Sequence, residues 1–384
     1  RYPASIVEDL RTFGEGDPYL YARLLAFQER LRGERWFSGV SVLPDLTAVD
    51  DDPAAEAVPV IVEVRERQRK SAGFGVGFST DQGVRGLVTY EHRDLLGRGW
   101  LLESGALLET VRHRAYVSAS TPWDASGHRW QAGLRAERLD VSGELTDKRT
   151  FYFGRGHRGE QVESFVSLQY QSERGVVDVD ASESATNRSA ALTLGYAWAL
   201  RRLDSRIDPR EGYTISAQLS GAARGLGSDR SFVRAYGRAM RFWPMPDAGP
   251  LAGGVLIGLV EAGTVISGGR DGIPSENLFR AGGAQSIRGY DYLGLGVRVG
   301  DAVVGGRVIA LGSLEYQYPV VGNWLGALFL DVGNAADRWS DWKPVRGAGI
   351  GARWRSPIGP INIDLAHASP DGRWRMHFSV GYSF

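Results

Sequence analysis

The chain has no cysteine among its 384 residues, which excludes disulfide staples and thiolate metal sites. It also lacks net charge, since Lys+Arg 45 balances Asp+Glu 45. A nucleic-acid-binding domain needs a basic surplus or stripe; neither is present, and no nucleic-acid partner is expected. Apolar runs of about 18 residues are missing, which excludes a membrane-spanning helix. The GxxxxGK[ST], HExxH and GxSxG patterns are absent and the six histidines are scattered. No catalytic residue, metal site or cofactor is therefore expected. Asp204, Asp208 and Glu211 lie close together, but a turn between strands accounts for them. Arg1 is not an initiator methionine and no signal peptide is visible, so the chain is expected to begin mature or inside a longer protein. What the chain has in quantity is glycine, 51 residues, and aromatic side chains at 10%. That composition leaves a membrane β-barrel open, because its strands alternate apolar-out and polar-in and score as mildly hydrophilic.

Residues 1–66 differ from the rest. Asp17 and Pro18 are an N-cap and first-turn signal. Leu20, Leu24, Phe27 and Leu31 then recur at helical spacing until Gly33. A shorter helix is expected over 3–10. Strands are expected over 39–43 and 58–64, with the acidic stretch 50–57 as their exposed connection. This is a small α+β unit, bounded at 1–68.

Over 69–384 the period changes to two, in about sixteen segments of roughly ten residues separated by turn residues. The segments fall near 72–80, 84–93, 98–109, 114–121, 128–140, 149–157, 160–173, 189–201, 212–223, 230–243, 251–265, 303–318, 324–333, 346–356, 359–367 and 374–384. In the last, Trp374, Met376, Phe378, Val380, Tyr382 and Phe384 alternate with Arg375, His377, Ser379, Gly381 and Ser383. Connections after even-numbered segments are mostly compact. The long polar ones, 173–188, 266–302 and 334–345, follow odd-numbered segments. Trp100, Trp198, Trp243, Trp324, Trp354, Trp374, Tyr316 and Tyr318 lie near segment ends, where an interfacial girdle belongs. Soluble barrels and sandwiches also alternate, but rarely over this many segments. The fold expected is an all-β transmembrane barrel of about sixteen antiparallel strands preceded by a small α+β domain.

The longest stretch without alternation, 266–302, contains GGAQSIRGYD at 282–291. Its glycines permit tight turns, and Arg288 is a fork suited to a carboxylate partner. An ordered, inward-folded loop and a mobile surface loop both fit the local sequence.

The segments SIRGY at 286–290, GSLEYQYP at 312–319, FLDVGN at 329–334, GIGARWRSPIGP at 349–360 and a terminal Phe384 together resemble the BamA/TamA superfamily of outer-membrane insertases and transporters. Residues 1–66 resemble a polypeptide-transport-associated (POTRA) domain lacking its first strand, the last of several. Within the superfamily, GEGDPY at 14–19, GFSTDQG at 77–83 and DPREGY at 208–213 are similar to the TamA branch. The resemblance implies a bacterial outer-membrane barrel with its POTRA domain in the periplasm. It implies a loop motif Ser286, Ile287, Arg288, Gly289 and Tyr290 folded into the lumen, with its arginine paired to an acidic wall residue. Alternation puts Asp331 on the inward face with Ala327, Phe329 and Gly333, and Glu315 inward as a second candidate. The implied partners are a TamB-like inner-membrane-anchored periplasmic protein, client outer-membrane proteins such as autotransporters, and the lipid bilayer.

In the first barrel segment Gly73, Gly75 and Gly77 alternate with Phe74, Val76 and Phe78. Glycine weakens a strand's packing, so a weak seam is expected against Phe378, Val380, Gly381, Tyr382 and Phe384 of the last. The family reading makes that seam a lateral gate for client strands; the alternative is that the glycines only relieve crowding. Two-partner secretion transporters, which share the barrel, the loop and the POTRA type, are the rival reading.

Overall fold

The computed structural model describes residues 2–45, 47, 57–159, 161–178, 184–205, 208–246, 248–249, 252–356 and 359–380. Most of the acidic connection at 50–57, and the expected seam residues Gly381, Tyr382 and Phe384, lie outside the described residues.

The N-terminal unit contains α1 (Ser5–Glu8), α2 (Tyr21–Arg32) and an antiparallel pair, β1 (Phe37–Pro44) and β2 (Val60–Glu66). Leu24, Phe27 and Leu31 form one helical stripe that packs on Ile6, Trp36, Phe37, Val40 and Val42. The helix starts later than the sequence suggests. Its N-cap is Leu20, exposed and without a side-chain cap bond. Asp17 instead closes the preceding turn, accepting from the Gly14 N–H at 3.0 Å and from Arg23 at 3.3 Å.

Sixteen strands then close a barrel. They are β3 (Lys70–Ser79), β4 (Gly83–Leu95), β5 (Trp100–Glu109), β6 (Arg112–Ser120), β7 (His128–Val141), β8 (Glu144–Arg158), β9 (Val162–Asp178), β10 (Ser184–Leu203), β11 (Gly212–Ala222), β12 (Phe232–Pro244) and β13 (Val255–Ile266). After a long connection holding the short hairpin β14 (Val297–Val299) and β15 (Ala302–Val304), the barrel resumes with β16 (Val308–Val321), β17 (Trp324–Ala336), β18 (Val345–Ser356), β19 (Gly359–Ser369) and β20 (Trp374–Val380). Each barrel strand pairs antiparallel with its neighbours, and β20 meets β3.

Alternation sets the two faces. Along β17, Ala327, Phe329 and Asp331 are at most 5% exposed, while Leu328 and Leu330 are 59% and 49% exposed. With Leu314, Ile350, Ile363 and Leu365 these form an outer aliphatic belt. Such a belt would be unfavourable in water by roughly 25 cal/mol per Å² and is natural against lipid tails. Trp243, Tyr318 and Trp324 lie half-exposed at one rim, and Trp324 stacks on Trp354 with centroids 5.6 Å apart.

One expected loop is not a loop. Residues 173–178 and 184–188 continue β9 and β10 as a ladder from Glu173 opposite Ser189 to Asp178 opposite Ser184. The β7–β8 connection is a two-residue turn, Ser142 at φ 53° and Gly143 at φ 75°, the conformation a tight hairpin requires.

The N-terminal unit packs on the short-turn rim. Ile6 fills the space beside Gly99, and Leu101 of β5 joins its apolar core. Trp36 Nε1–H donates to the Arg93 carbonyl at 2.7 Å. Glu34 pairs with Arg158, and Arg35 with Glu103 and Glu91.

Candidate functional site

The connection between β13 and β16, residues 267–307, turns into the lumen. Ile273, Phe279, Ala281, Ile287 and Tyr290 bury themselves against Ala191, Phe232, Ile309, Leu311, Ala335 and Ala368 of the wall. Ile287 is fully buried. Isolated bridges pair Phe279 with Gly306 and Ala281 with Leu295, so the segment is ordered by its own backbone as well. On the opposite wall Ser275 donates its N–H and hydroxyl to Glu173, at 3.1 and 2.6 Å, and Asn277 Nδ2 donates to Gln171 at 2.6 Å. Arg280 pairs with Glu144 at 3.2 Å, and the Val303 N–H donates to the Ser142 carbonyl at 2.8 Å. The loop thus crosses the lumen and is fastened at both sides.

Arg288 is the centre of the fastening on the β16–β19 wall. Its Nε and Nη2 donate to the two carboxylate oxygens of Asp331 at 2.7 and 2.8 Å, and its backbone N–H donates to the same carboxylate at 3.1 Å. Nη1 donates to Glu315. The guanidinium carbon lies 3.5 Å from the Phe329 ring centroid, a cation–π position. Arg353 of β18 donates to Glu315 at 2.9 Å and pairs with Asp364 of β19 at 2.7 Å. Two arginines and three carboxylates therefore form one buried cluster, in which Arg288 reaches all three acids, Asp364 at 3.9 Å, and Arg353 bridges Glu315 and Asp364. Burial works against the charge of Arg288, yet hydrogen bonding and attraction from Asp331, then Glu315, outweigh it and raise its pKa further above the usual arginine value.

Room for the loop comes from β18. A Cβ at Gly347 would lie 1.9 Å from the Arg288 carbonyl oxygen, at Gly349 2.6 Å from the Phe329 ring, and at Gly351 2.2 Å from Asp364. Gly347 leaves the space that the Arg288 backbone fills, while Gly349 and Gly351 leave space for the Phe329 ring and for the Asp364 and Arg353 side chains that surround the guanidinium. Gly289, at φ 96°, lets the chain turn immediately after the arginine, with Ala368 at 3.1–3.2 Å from where its Cβ would be. Tyr290 then donates its hydroxyl to the Ser369 carbonyl at 2.8 Å, and Ser286 Oγ accepts from the Gly282 N–H at 2.7 Å.

Each loop-motif residue singled out from the sequence is thus placed inside the lumen, and Asp331 and Glu315 both meet Arg288. Arg353 and Asp364 were not singled out. Both lie on the inward face of alternating strands, and an inward charge at Asp364 between the outward Ile363 and Leu365 was the available signal.

The seam has a different character. Ser79 opposite Ser379 is the single register pair between β3 and β20 among the described residues. Its neighbours add the Thr80 N–H donating to the Phe378 carbonyl at 3.1 Å and the Phe378 N–H donating to Thr80 Oγ1 at 3.0 Å. Phe78 and Phe378 approach with ring centroids 6.1 Å apart. Farther along β3, Phe74 and Val76 are 83% and 95% exposed. Crowding accounts for Gly73, where a Cβ would lie 2.7 Å from Thr89 Oγ1. At Gly75 and Gly77 a Cβ would meet only ordinary neighbours at 3.6 and 3.9 Å.

A closed sixteen-stranded barrel with an outer aliphatic belt and an arginine loop locked inside defines a class of transmembrane β-barrel rather than a soluble one. The model of the Omp85 superfamily domain matches residues 102–384, and the chain belongs to that superfamily; it is an outer-membrane β-barrel. It is 26% identical to the outer membrane protein assembly factor BamA of Nitratidesulfovibrio vulgaris, over 99% of this chain and 49% of that protein. It is 23% identical to the chloroplastic outer envelope protein 80 of Arabidopsis thaliana, over 89% of this chain and 50% of that one. The chain spans about half the length of these curated relatives. A crystal structure of BamA from Haemophilus ducreyi lacking POTRA domains 1–3 superposes with TM-score 0.80 at 18% identity, covering 100% of this chain and 82% of that one. CdiB from Acinetobacter baumannii superposes with TM-score 0.61 at 14% identity, over 99% and 71%.

Proposed function

We propose that this chain is an outer-membrane assembly factor that admits client β-barrel or autotransporter strands between β3 and β20. The observation that carries the reading is the contrast in pairing among the described residues: one register pair joins β3 to β20, whereas β3 and β4 share ten and β19 and β20 seven. An underpaired edge offers free N–H and C=O groups to an incoming strand. Phe74 and Val76 beside it extend the outer apolar surface where such a strand would lie. In this reading the loop motif and the Arg288 cluster hold the lumen shut behind the gate. The N-terminal unit acts as a POTRA domain that receives clients in the periplasm. A TamB-like inner-membrane-anchored protein is the partner proposed from the motifs shared with the TamA branch.

The second reading is a two-partner secretion transporter that exports a polypeptide through the lumen. The likeness to CdiB supports its fold, but the double-anchored loop occupies the path it needs. A single experiment separates them. Ser79→Cys and Ser379→Cys are introduced into the naturally cysteine-free chain, and client assembly is assayed with and without reductant. The gate reading expects oxidised barrels to stop and reduced ones to resume. A fully oxidised barrel that keeps working would transfer the proposal to the lumen.

A further inference from the structure

Arg288 is not the loop's only tie to the wall. His377, 1% exposed on the lumen face of β20, accepts at Nε2 from the Gly289 N–H at 2.9 Å. A nitrogen that accepts carries no proton, so the ring's hydrogen sits on Nδ1. Nδ1 faces Asp81 Oδ1 at 3.1 Å, and it therefore donates there. Asp81 stands in the turn between β3 and β4, and its other oxygen accepts from the Ala284 N–H at 2.7 Å. The chain of bonds runs from the loop at Gly289 to the last strand, across the seam to the first hairpin, and back to the loop at Ala284.

We propose that His377 and Asp81 are positioning residues that couple the loop to the seam, so that withdrawal of the loop weakens the seam and opening of the seam weakens the wall's hold on the loop. Gly289 directly follows Arg288. Moving the arginine away from Asp331 draws the Gly289 N–H away from His377 and leaves a buried acceptor unpaired. Opening the seam separates His377 from Asp81 and leaves each loop amide with only half its anchor. Coupling of this kind acts equally in both directions. The inference rests on the lateral-gate reading for its purpose, but its test needs no client.

Two cysteine reporters in separate proteins read the two ends: disulfide formation between Ser79→Cys and Ser379→Cys reports seam closure, and maleimide labelling of Ala281→Cys, a position 1% exposed, reports loop withdrawal. Both are measured on purified barrels in vesicles, scoring the fraction that keeps the heat-modifiable gel mobility of a folded barrel. His377→Gln keeps an acceptor at the ε position for Gly289 and loses the donor to Asp81; His377→Asn keeps the donor at the δ position and loses the acceptor. The expected result is that the Gln variant slows disulfide formation about fivefold, the population change of one lost hydrogen bond, and raises loop labelling by a smaller factor. The Asn variant should raise loop labelling by a similar factor and slow the seam less. Arg288→Ala should move both reporters together. If Arg288→Ala exposes the loop while the disulfide rate stays at wild type, or if the Gln and Asn variants behave alike, the coupling is overturned. If His377 variants do not fold, Asp81→Asn in the turn carries the same test, since its amide cannot accept from both partners. Uncoupled reporters with client assembly intact overturn the clamp alone; coupled reporters in a barrel whose disulfide-locked seam still assembles clients overturn the gate alone.

Discussion

The wall from β16 to β19 and the seam between β20 and β3 belong to one barrel, yet they are held by opposite means. The wall has full ladders, from Thr264 through to Ser369, and on top of them a buried cluster of five charged side chains that locks the loop in place. Among the described residues the seam has one register pair, one further backbone bond from Thr80 to Phe378 and a few side-chain bonds. Hydrogen-bonded ladders are the default of a closed barrel, so the informative side of the comparison is the one where they run out. Rigid anchoring on one side of the lumen and sparse pairing on the other place the give of the barrel at the seam, where His377 and Asp81 tie it to the loop.

The contrast can be broken most forcefully at its rigid end. Arg288→Ala or Asp331→Ala leaves a buried charge without its partner, and each is expected to lower stability by about 3–5 kcal/mol. The urea midpoint of the folded-barrel band on a gel checks this, and an unchanged midpoint in either variant removes the latch from the account. Because the two residues share one interaction, the double variant should lose much less than the sum. Gly347→Ala comes next. Its Cβ would collide with the Arg288 carbonyl, and overpacking of this kind costs about 1–3 kcal/mol. Increased protease cleavage within 267–307 is the expected sign, and a loop as resistant as wild type would mean that β18 yields. Phe329→Leu removes the ring under the guanidinium and should lose about 0.5–2 kcal/mol, read as a smaller shift of the same urea midpoint. The smallest effect lies at the seam and has the opposite sign. Gly75→Ala fits without collision and should stabilise β3 by about 0.4–1 kcal/mol, slowing hydrogen exchange of its amides. Faster exchange would show that the glycine serves space rather than looseness.

How much of this was legible beforehand depended on what each residue faces. All sixteen barrel strands were visible because lipid outside and water inside impose a period of two on every one of them. That same rule explains the failure at 173–188. The outer positions there include Arg174 and Arg188, and without an apolar outer face a strand carries no alternation to read. Asp331 could be assigned to the lumen from its neighbours Leu330 and Val332, and Arg288 was conspicuous in its loop. Arg353 and Asp364 were within reach of the same reasoning. The His377–Asp81 pair was not, because 296 positions separate the two residues and only barrel closure brings them together. The β14–β15 hairpin, with three residues per strand, is too short for any periodicity. The start of α2 was misplaced because Asp17 bonds locally to Gly14, and a short acidic side chain can serve a turn as readily as a helix cap.

The glycine column of β18 bears on how such barrels could be recombined. Gly347, Gly349 and Gly351 make that strand a cast of what lies against it, two positions fitting the loop's arginine and its supporting ring and one fitting Asp364. A loop transplanted from another barrel would meet a mould cut for this one. Loop and strand would have to travel together, so the exchangeable unit within the fold is a pair of segments about sixty residues apart in the chain rather than the loop between two adjacent strands.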